Sequence, residues 1–234
     1  MEKEDGMVYC QVPITNVWTH PSKVRKVDDL MLQENPNVID WLEKQTLQQR
    51  KDLAEHCRIQ TQLNYGEKVE IDHIEKEWAC VYCLEQPTSK QSKGYPGWVL
   101  RKHLTSEKLE SDQLPPNLHL SDFLGKPYCW GGLSKDAIDC SGLVYILAKS
   151  TGNLIPRDAK DQVECGFYVS KVVVGDCLFF GEKRAQHVGI AISSKEMIHA
   201  PCTGKTVEKI SIADYKTYPL LSIRRGIISP KVVV

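Results

Sequence analysis

The sequence contains no apolar run approaching the ~18 residues needed to span a bilayer as a helix, and this argues against a transmembrane helix in its 234 residues. It also lacks net charge. Lys+Arg and Asp+Glu are both 30, so no global field draws the chain to nucleic acid or to an anionic membrane. The N-terminus, Met-Glu-Lys-Glu-Asp-Gly, has no apolar core of a secretory signal; the expectation is a cytoplasmic protein, or a secreted one if a signal was trimmed. A disulfide framework is missing too: nine cysteines is an odd number, and their spacings suggest none. Reduced, intracellular thiols are the simpler reading. Cys80 and Cys83 form a Cys-x-x-Cys, but they fall on an expected strand and no second pair follows at finger spacing. No metal and no cofactor is expected.

What is present fills one large or two small domains. Val8 to Val17 alternates Val8, Cys10, Val12 and Ile14 and reads as one strand. Asn35-Pro36 is expected to open a short helix, with Asn35 as its cap. Thr46-Leu-Gln-Gln49 fits a capping box that starts a second helix ending near Cys57. Gln60–Asn64, Lys68–Ile74, Trp78–Leu84 and Gly94–Leu100 then read as short strands separated by turns. Trp18, Trp41, Trp78 and Trp98 read as core and rim of a barrel. Tyr65 sits at a turn, where its phenol is expected to be exposed. The polar stretch Thr105–Asn117 contains Pro115-Pro116 and lacks periodicity. It divides the chain into 1–105, a linker 106–117, and 118–234.

The second half is organised around Lys126–Gly152. Asp139 is a good N-cap, Leu143, Val144 and Leu147 form an apolar stripe, and Gly152 takes a C′ position. Cys140 then lies in the first helical turn, where free N–H groups and the helix dipole favour a thiolate. Taken alone, a cysteine is more often a buried small hydrophobe; its context turns the reading here. Tyr128, Trp130, Gly131 and Gly132 form an aromatic, glycine-rich approach that suits a second chain coming close.

Strands are expected at Asp176–Phe180, His187–Ile192, Glu196–Ala200 and Leu220–Ile227, so a helix precedes antiparallel strands and the class is α+β. If Ser193-Ser-Lys195 is a three-residue hairpin loop, Gly189 sits opposite His199, leaving the space His199 needs. His187 and His199 then become same-face diagonal neighbours. A one-residue slip would put them on opposite faces. Cysteine, histidine and a polar third group, in that order, match nucleophile, base and orienter of a papain-type site.

These motifs, Pro127-Tyr128-x-Trp130-Gly131-Gly132, Asp139-Cys140-Ser141-Gly142-Leu-Val144, His187-Val-Gly-Ile and Ile198-His199-Ala200, resemble the NlpC/P60 cysteine peptidases. The whole chain resembles their γ-D-glutamyl-L-diamino acid endopeptidases, which share the Tyr-Gly-Glu turn, the helical insertion and the Gly-Tyr-Pro-Gly-Trp-Val segment. The resemblance implies an N-terminal bacterial SH3-type β-barrel with a helical insertion at about 35–57, followed by a papain-like catalytic domain. It implies Cys140 as nucleophile, His187 as general base, His199 as its orienter, and Tyr128 beside the thiol assisting the oxyanion. It also implies Tyr65 and Asp158 as readers of a free terminal amine, with Asp139 and Ser141 lining the cleft. Asp28 or Asp29 is a loose match for a further acidic contact. Ala159 stands where many members have Ser, removing one acceptor for that amine, and Leu100 replaces a usual proline.

The expected substrate is a stem peptide, L-Ala-γ-D-Glu-diamino acid, cut through a thioester during wall-peptide recycling. Two other classes remain: a wall- or peptide-binding protein on a catalytic scaffold, and an amidase or acyltransferase on the same fold. Thiol alkylation separates the first from the endopeptidase, and product analysis the second.

Overall fold

The computed structural model describes residues 7–109 and 118–233. The charged N-terminal hexapeptide, and the expected linker from residue 110 onward, lie outside the described residues. The chain forms two compact units, residues 1–112 and 113–234.

The first unit is built on seven antiparallel strands. They are β1 (Val8–Cys10), β2 (Ile14–Trp18), β3 (Ile59–Asn64), β4 (Lys68–Glu75), β5 (Trp78–Cys83), β6 (Tyr95–Leu100) and β7 (Leu104–Thr105). Their order in the sheet is β3-β2-β6-β5-β4-β1-β7. The single strand expected over Val8–Val17 is therefore two. Around Pro13, which has no N–H to give to a ladder, the chain changes partners: β1 pairs with β4 and β7, and β2 with β3 and β6. One face of the sheet buries Val17, Leu63, Val69, Ala79, Val81, Cys83 and Val99. Trp18, Trp41, Trp78 and Trp98 are all buried.

Between β2 and β3 lie α1 (Val38–Glu43) and α2 (Leu47–Glu55), preceded by a 3-10 helix over Lys26–Leu32 that the charged sequence did not suggest. Helix α2 carries the capping box: Gln49 N donates to Thr46 Oγ1 (3.2 Å) and Thr46 N to Gln49 Oε1 (2.9 Å). The cap of α1 is Asn37, not Asn35; its Oδ1 accepts from Ile39 N and Asp40 N at 3.0 and 3.2 Å. An Asn two residues further on captures the free amides better than the Asn-Pro pair does.

The second unit contains α3 (Cys140–Ser150), α4 (Ala159–Gln162), β8 (Phe167–Tyr168), β9 (Cys177–Phe180), β10 (His187–Ala191), β11 (Glu196–His199), β12 (Glu208–Ser211) and β13 (Leu220–Arg225). Its antiparallel sheet runs β12-β11-β10-β9-β13-β8. Strands β8 and β12 escaped the sequence reading: one has two residues, the other is the mixed polar edge Glu-Lys-Ile-Ser. Helix α3 ends with Gly152 N and Asn153 N donating to Lys149 O and Ala148 O, both at 3.0 Å, a Schellman closure. Its residues Leu143, Val144 and Leu147 pack with Val188, Ile190 and Ile198 from one face of the sheet. At roughly 1.5–3 kcal/mol for each fully buried aliphatic side chain, this seam fixes the helix against β10. The opposite face gathers Leu178, Phe180, Ala191, Met197 and Ile223, with Tyr215 packed against them. Among the described residues, no helix is long and apolar enough to cross a membrane.

The two loosely matched carboxylates of the first unit have different surroundings. Asp29 is exposed, whereas Asp28 has no solvent access. Asp28 accepts from Arg25 N (2.8 Å), Arg25 Nε (3.0 Å), Arg25 Nη2 (2.8 Å) and Trp41 Nε1 (3.0 Å). Its lone pairs are spent on holding the 3-10 helix to α1. Asp28→Ala is expected to cost about 1–3 kcal/mol, because it leaves the buried Trp41 Nε1–H without its acceptor while Arg25 keeps Asp52. Asp29→Ala should stay within about 0.5 kcal/mol. Urea unfolding of both variants checks the contrast.

Candidate active site

The start of α3 is held from three sides. Asp139, with extended backbone, caps the helix through Oδ1, which accepts from Gly142 N at 2.6 Å. Arg157, 1% exposed, reaches the same carboxylate with Nη1 (3.1 Å to Oδ1) and Nη2 (2.7 Å to Oδ2). It also donates to Ser141 Oγ (2.9 Å) and to Gly132 O (3.3 Å). Asp139 and Ser141, expected as cleft-lining residues, are thus both buried and joined through one guanidinium. Gly142 is required here for a close approach: a Cβ would lie 2.3 Å from Gly132 O. The Trp130-Gly131-Gly132 loop therefore rests directly on the first turn of α3, which begins at Cys140.

The register of β10 against β11 is that dictated by a three-residue loop at 193–195. Ile190 faces Ile198 and Ala191 faces Met197, which sets Gly189 opposite His199. The structure joins the two histidines: His187 Nε2 and His199 Nδ1 are 2.8 Å apart. The space at Gly189 serves a different neighbour from the one expected. A Cβ there would meet Met197 Sδ at 2.6 Å, while His199 Cβ stays at 3.4 Å. The next contact on His199 is Glu208, its cross-strand partner on β12, with Oε1 3.6 Å from Nε2. That separation exceeds a hydrogen bond and is short enough for charge to be felt. Tyr215 completes the cage. Its ring stacks on His187 (5.1 Å, 13° between planes) and meets His199 edge-on at 5.5 Å.

The electrostatics differ from the expected thiolate. Cys140 keeps part of its surface accessible. The backbone N–H groups of Val188 and Ser141, together with Arg157, favour its charged form. Burial and the Asp139 carboxylate outweigh them and push the thiol up to about 12. Burial and the neighbouring His199 push His187 down to about 3. His199 is also lowered by burial, against a raising influence from Glu208. Both shifts favour a protonated thiol beside uncharged imidazoles near neutrality over a thiolate–imidazolium pair. The expectation of a depressed thiol pKa counted the helix end but not Asp139, whose capping oxygen is itself a nearby negative charge.

Tyr128 is buried, and its ordinary phenol pKa is raised well up by burial, Cys140 and Asp139. It therefore stays protonated and can donate. Asp158 is half-buried and is the N-cap residue of α4. Tyr65 lies in the first unit at the turn between β3 and β4 and is half-buried, not exposed as expected. Three residues of the site went unassigned in the sequence: Arg157, Tyr215 and Glu208. Arg157 carried a faint signal as a lone cation after Ile155-Pro156. Tyr215 and Glu208 carried none, because only a 3-10 turn and the pairing of β12 with β11 bring them to the histidines. In this unit no three His, Cys, Asp or Glu side chains among the described residues converge closely enough to hold a metal ion.

Comparison with known proteins adds an independent finding. The family model described as NlpC/P60 family matches residues 125–225. A "Gamma-D-glutamyl-L-lysine dipeptidyl-peptidase" of Bacillus subtilis is 30% identical over 86% of this chain and 92% of its own length. A Bacillus cereus protein of the same description is 25% identical, over 90% of this chain and 88% of its own. The crystal structure of an NlpC/P60 family protein from Bacillus cereus covers 94% of this chain and 99% of its own, with TM-score 0.85 and 24% identity. That likeness is one of fold.

Gly142→Ala tests the packing of the loop on the helix. On helix propensity alone, alanine should stabilise by up to about 1 kcal/mol. The contact with Gly132 O predicts the reverse sign: lower thermal stability, together with slowed alkylation of Cys140. Higher stability with unchanged alkylation would contradict the packing argument.

Proposed function

The chain belongs to the NlpC/P60 family and is a cysteine peptidase, and from that premise we propose that it hydrolyses the γ-D-glutamyl–L-diamino acid bond of peptidoglycan stem peptides that carry a free N-terminal L-Ala. The observation that carries the proposal is the His187–His199 bond beside the capped start of α3. The shared name of the two Bacillus relatives describes such a bond with lysine as the diamino acid.

The bond to His199 uses His187 Nε2, which leaves Nδ1 as the proton acceptor. For Nδ1 to be bare, His187 Nε2–H donates to His199 Nδ1, and the proton of His199 then sits on Nε2, toward Glu208. Each N–H in this chain points toward the carboxylate. As Cys140 Sγ attacks the γ-carbonyl of D-Glu, its proton passes to His187 Nδ1, and Glu208 stabilises the imidazolium through His199. The oxyanion takes the Cys140 N–H, which has no carbonyl one turn earlier to bond, and the Tyr128 hydroxyl. His187 next protonates the departing amine, and water hydrolyses the thioester. The stacked Tyr215 keeps the His187 ring in the plane this transfer requires.

For amine recognition the proposal assigns Asp158 as the acidic partner of the terminal ammonium and Tyr65 as an acceptor, with Ala159 one hydroxyl short of many family members. An ammonium taken out of water without a partner costs several kcal/mol. The same reading takes the first unit as an SH3-type barrel, supported by its short antiparallel strands and by the Tyr-Pro-Gly-Trp-Val of β6. It also takes recycling of wall peptides in the cytoplasm as the setting, which cell fractionation tests.

The decisive assay is mass spectrometry of L-Ala-γ-D-Glu-diamino acid peptides, free and N-acetylated. Wild type is expected to cut only the free peptide efficiently, and Cys140→Ala to cut neither. Tyr65→Phe should lose about 1.5–3 kcal/mol in kcat/KM, the worth of a bond to a charged group. Equal cutting of both peptides would show that no amine is read, and activity in Cys140→Ala would overturn the mechanism. Glu208→Gln should lower kcat with little change in KM, because its charge is called on only as His187 becomes cationic.

A further inference from the structure

A second cluster of reactive side chains lies in the first unit. Strands β4 and β5 pair with Ile71 opposite Val81, but one step later His73 faces Cys80, so Asp72 is an extra residue in β4. Such a β-bulge breaks strict alternation and re-aims side chains. Ile71 is on the core side with Val81, and plain alternation would send Asp72 outward and His73 inward. The bulge brings both outward, over Cys80. Cys83, three residues on in β5, faces the core. The Cys-x-x-Cys is therefore split between two faces, and only Cys80 joins the cluster.

Among the described residues, Asp72, His73 and Cys80 are the group of ligand-type side chains whose donor atoms all lie within 4.8 Å of one another. Zinc binds these donors at about 2.0–2.3 Å in a tetrahedron, which puts two donors on one ion about 3.3–3.8 Å apart. From an outer limit of 4.8 Å, side-chain movement of about an ångström closes the site. Asp72 and His73 are exposed and Cys80 is half-buried, so all three side chains can move and solvent can deliver an ion.

The surroundings of the three residues are those of ligands. His73 Nδ1 faces Asp72 Oδ2 at 2.8 Å, inside the cluster, whereas Nε2 lies 3.6 Å from Glu75 Oε1. Coordination through Nδ1 would leave Nε2–H directed at a carboxylate, the arrangement that orients metal-bound imidazoles. Tyr82 donates its hydroxyl to Asp72 Oδ1 at 3.2 Å, steadying that carboxylate by its other oxygen. The Trp98 ring meets His73 edge-on at 5.1 Å and limits its swing. A thiolate, an imidazole and one carboxylate select a borderline-soft transition metal over Mg²⁺ or Ca²⁺, which take oxygen sets.

We propose that Asp72, His73 and Cys80 form a zinc-class metal site at the β4 bulge, with Glu75 and Tyr82 as its outer supports and a fourth position open to water. The ion would pin the bulge to β5. Binding there requires Cys80 to give up its proton, so affinity rises with pH.

The test is titration of the reduced full-length chain with Co²⁺, followed by displacement with Zn²⁺. Wild type is expected to take up one equivalent with near-ultraviolet thiolate-to-cobalt absorption, lost when Zn²⁺ is added. Cys80→Ser should lose that absorption, and Cys140→Ala, which removes the thiol of the other site, should keep it. His73→Ala should weaken binding at least tenfold, and Glu75→Gln about tenfold. Saturable thiolate-to-cobalt absorption that persists in Cys80→Ser, or none in wild type, overturns the proposal. If Cys80→Ser does not fold by circular dichroism, His73→Ala decides, because its side chain is exposed: unchanged Co²⁺ affinity in that variant overturns the proposal equally.

Discussion

A guanidinium with almost no access to water holds the reactive end of α3 in place. Arg157 binds both oxygens of Asp139, the hydroxyl of Ser141 and the carbonyl of Gly132. A buried charge is tolerated only where its partners are fixed. The pair therefore sets the helix cap, the loop carrying Trp130, and the position of Cys140 between them. It also bears on the charge of the site. Burial raises the thiol pKa most, Asp139 adds to it and Arg157 opposes both, a balance that favours the protonated sulfur. On the other side, burial and the second imidazole keep His187 neutral. In the proposed mechanism the proton passes to His187 during attack, and Glu208, acting through His199, stabilises the positive charge that results.

Local signals were the most legible part of the sequence. The capping box at Thr46, the Asp139 cap and the Gly152 closure depend on residues within one or two turns, and each is present in the structure. The hairpin loop at 193–195 was short enough to fix the register that brings His187 and His199 together. What failed depended on partners far along the chain. Val8–Val17 alternates well enough for one strand, but the chain changes partners at Pro13, and no periodicity reports that. Asn37 competed with Asn35 for the same amides, a difference of two residues that only geometry decides. Tyr215 and Glu208 join the histidines through a 3-10 turn and an edge strand without an apolar pattern.

The bulge in β4 shows the same limit from the other direction. Alternation assigns every residue of a strand to one of two faces, so a single inserted residue reverses the assignment beyond it. Plain alternation puts Asp72 and His73 on opposite faces, and Cys80 and Cys83, three residues apart, on opposite faces too. The structure keeps the cysteines apart but inverts the first: Asp72 and His73 share a face. Charge accounting failed for a related reason at Cys140. The helix end was visible in the sequence, whereas the depth of the sulfur and the direction of the Asp139 carboxylate belong to the packed structure.

The neutral resting state of the thiol and its histidines is the central claim, and ring-nitrogen NMR of the histidines reads it directly. With ¹⁵N-labelled histidine and His→Gln variants for assignment, His187 in the free enzyme at pH 7 is expected to be uncharged, with its proton on Nε2. It should remain so as the pH is lowered past ~6.5, the ordinary histidine range, toward about 3. A doubly protonated His187 at pH 7, lost when Cys140 is replaced by alanine, would reveal a thiolate–imidazolium pair and contradict the claim.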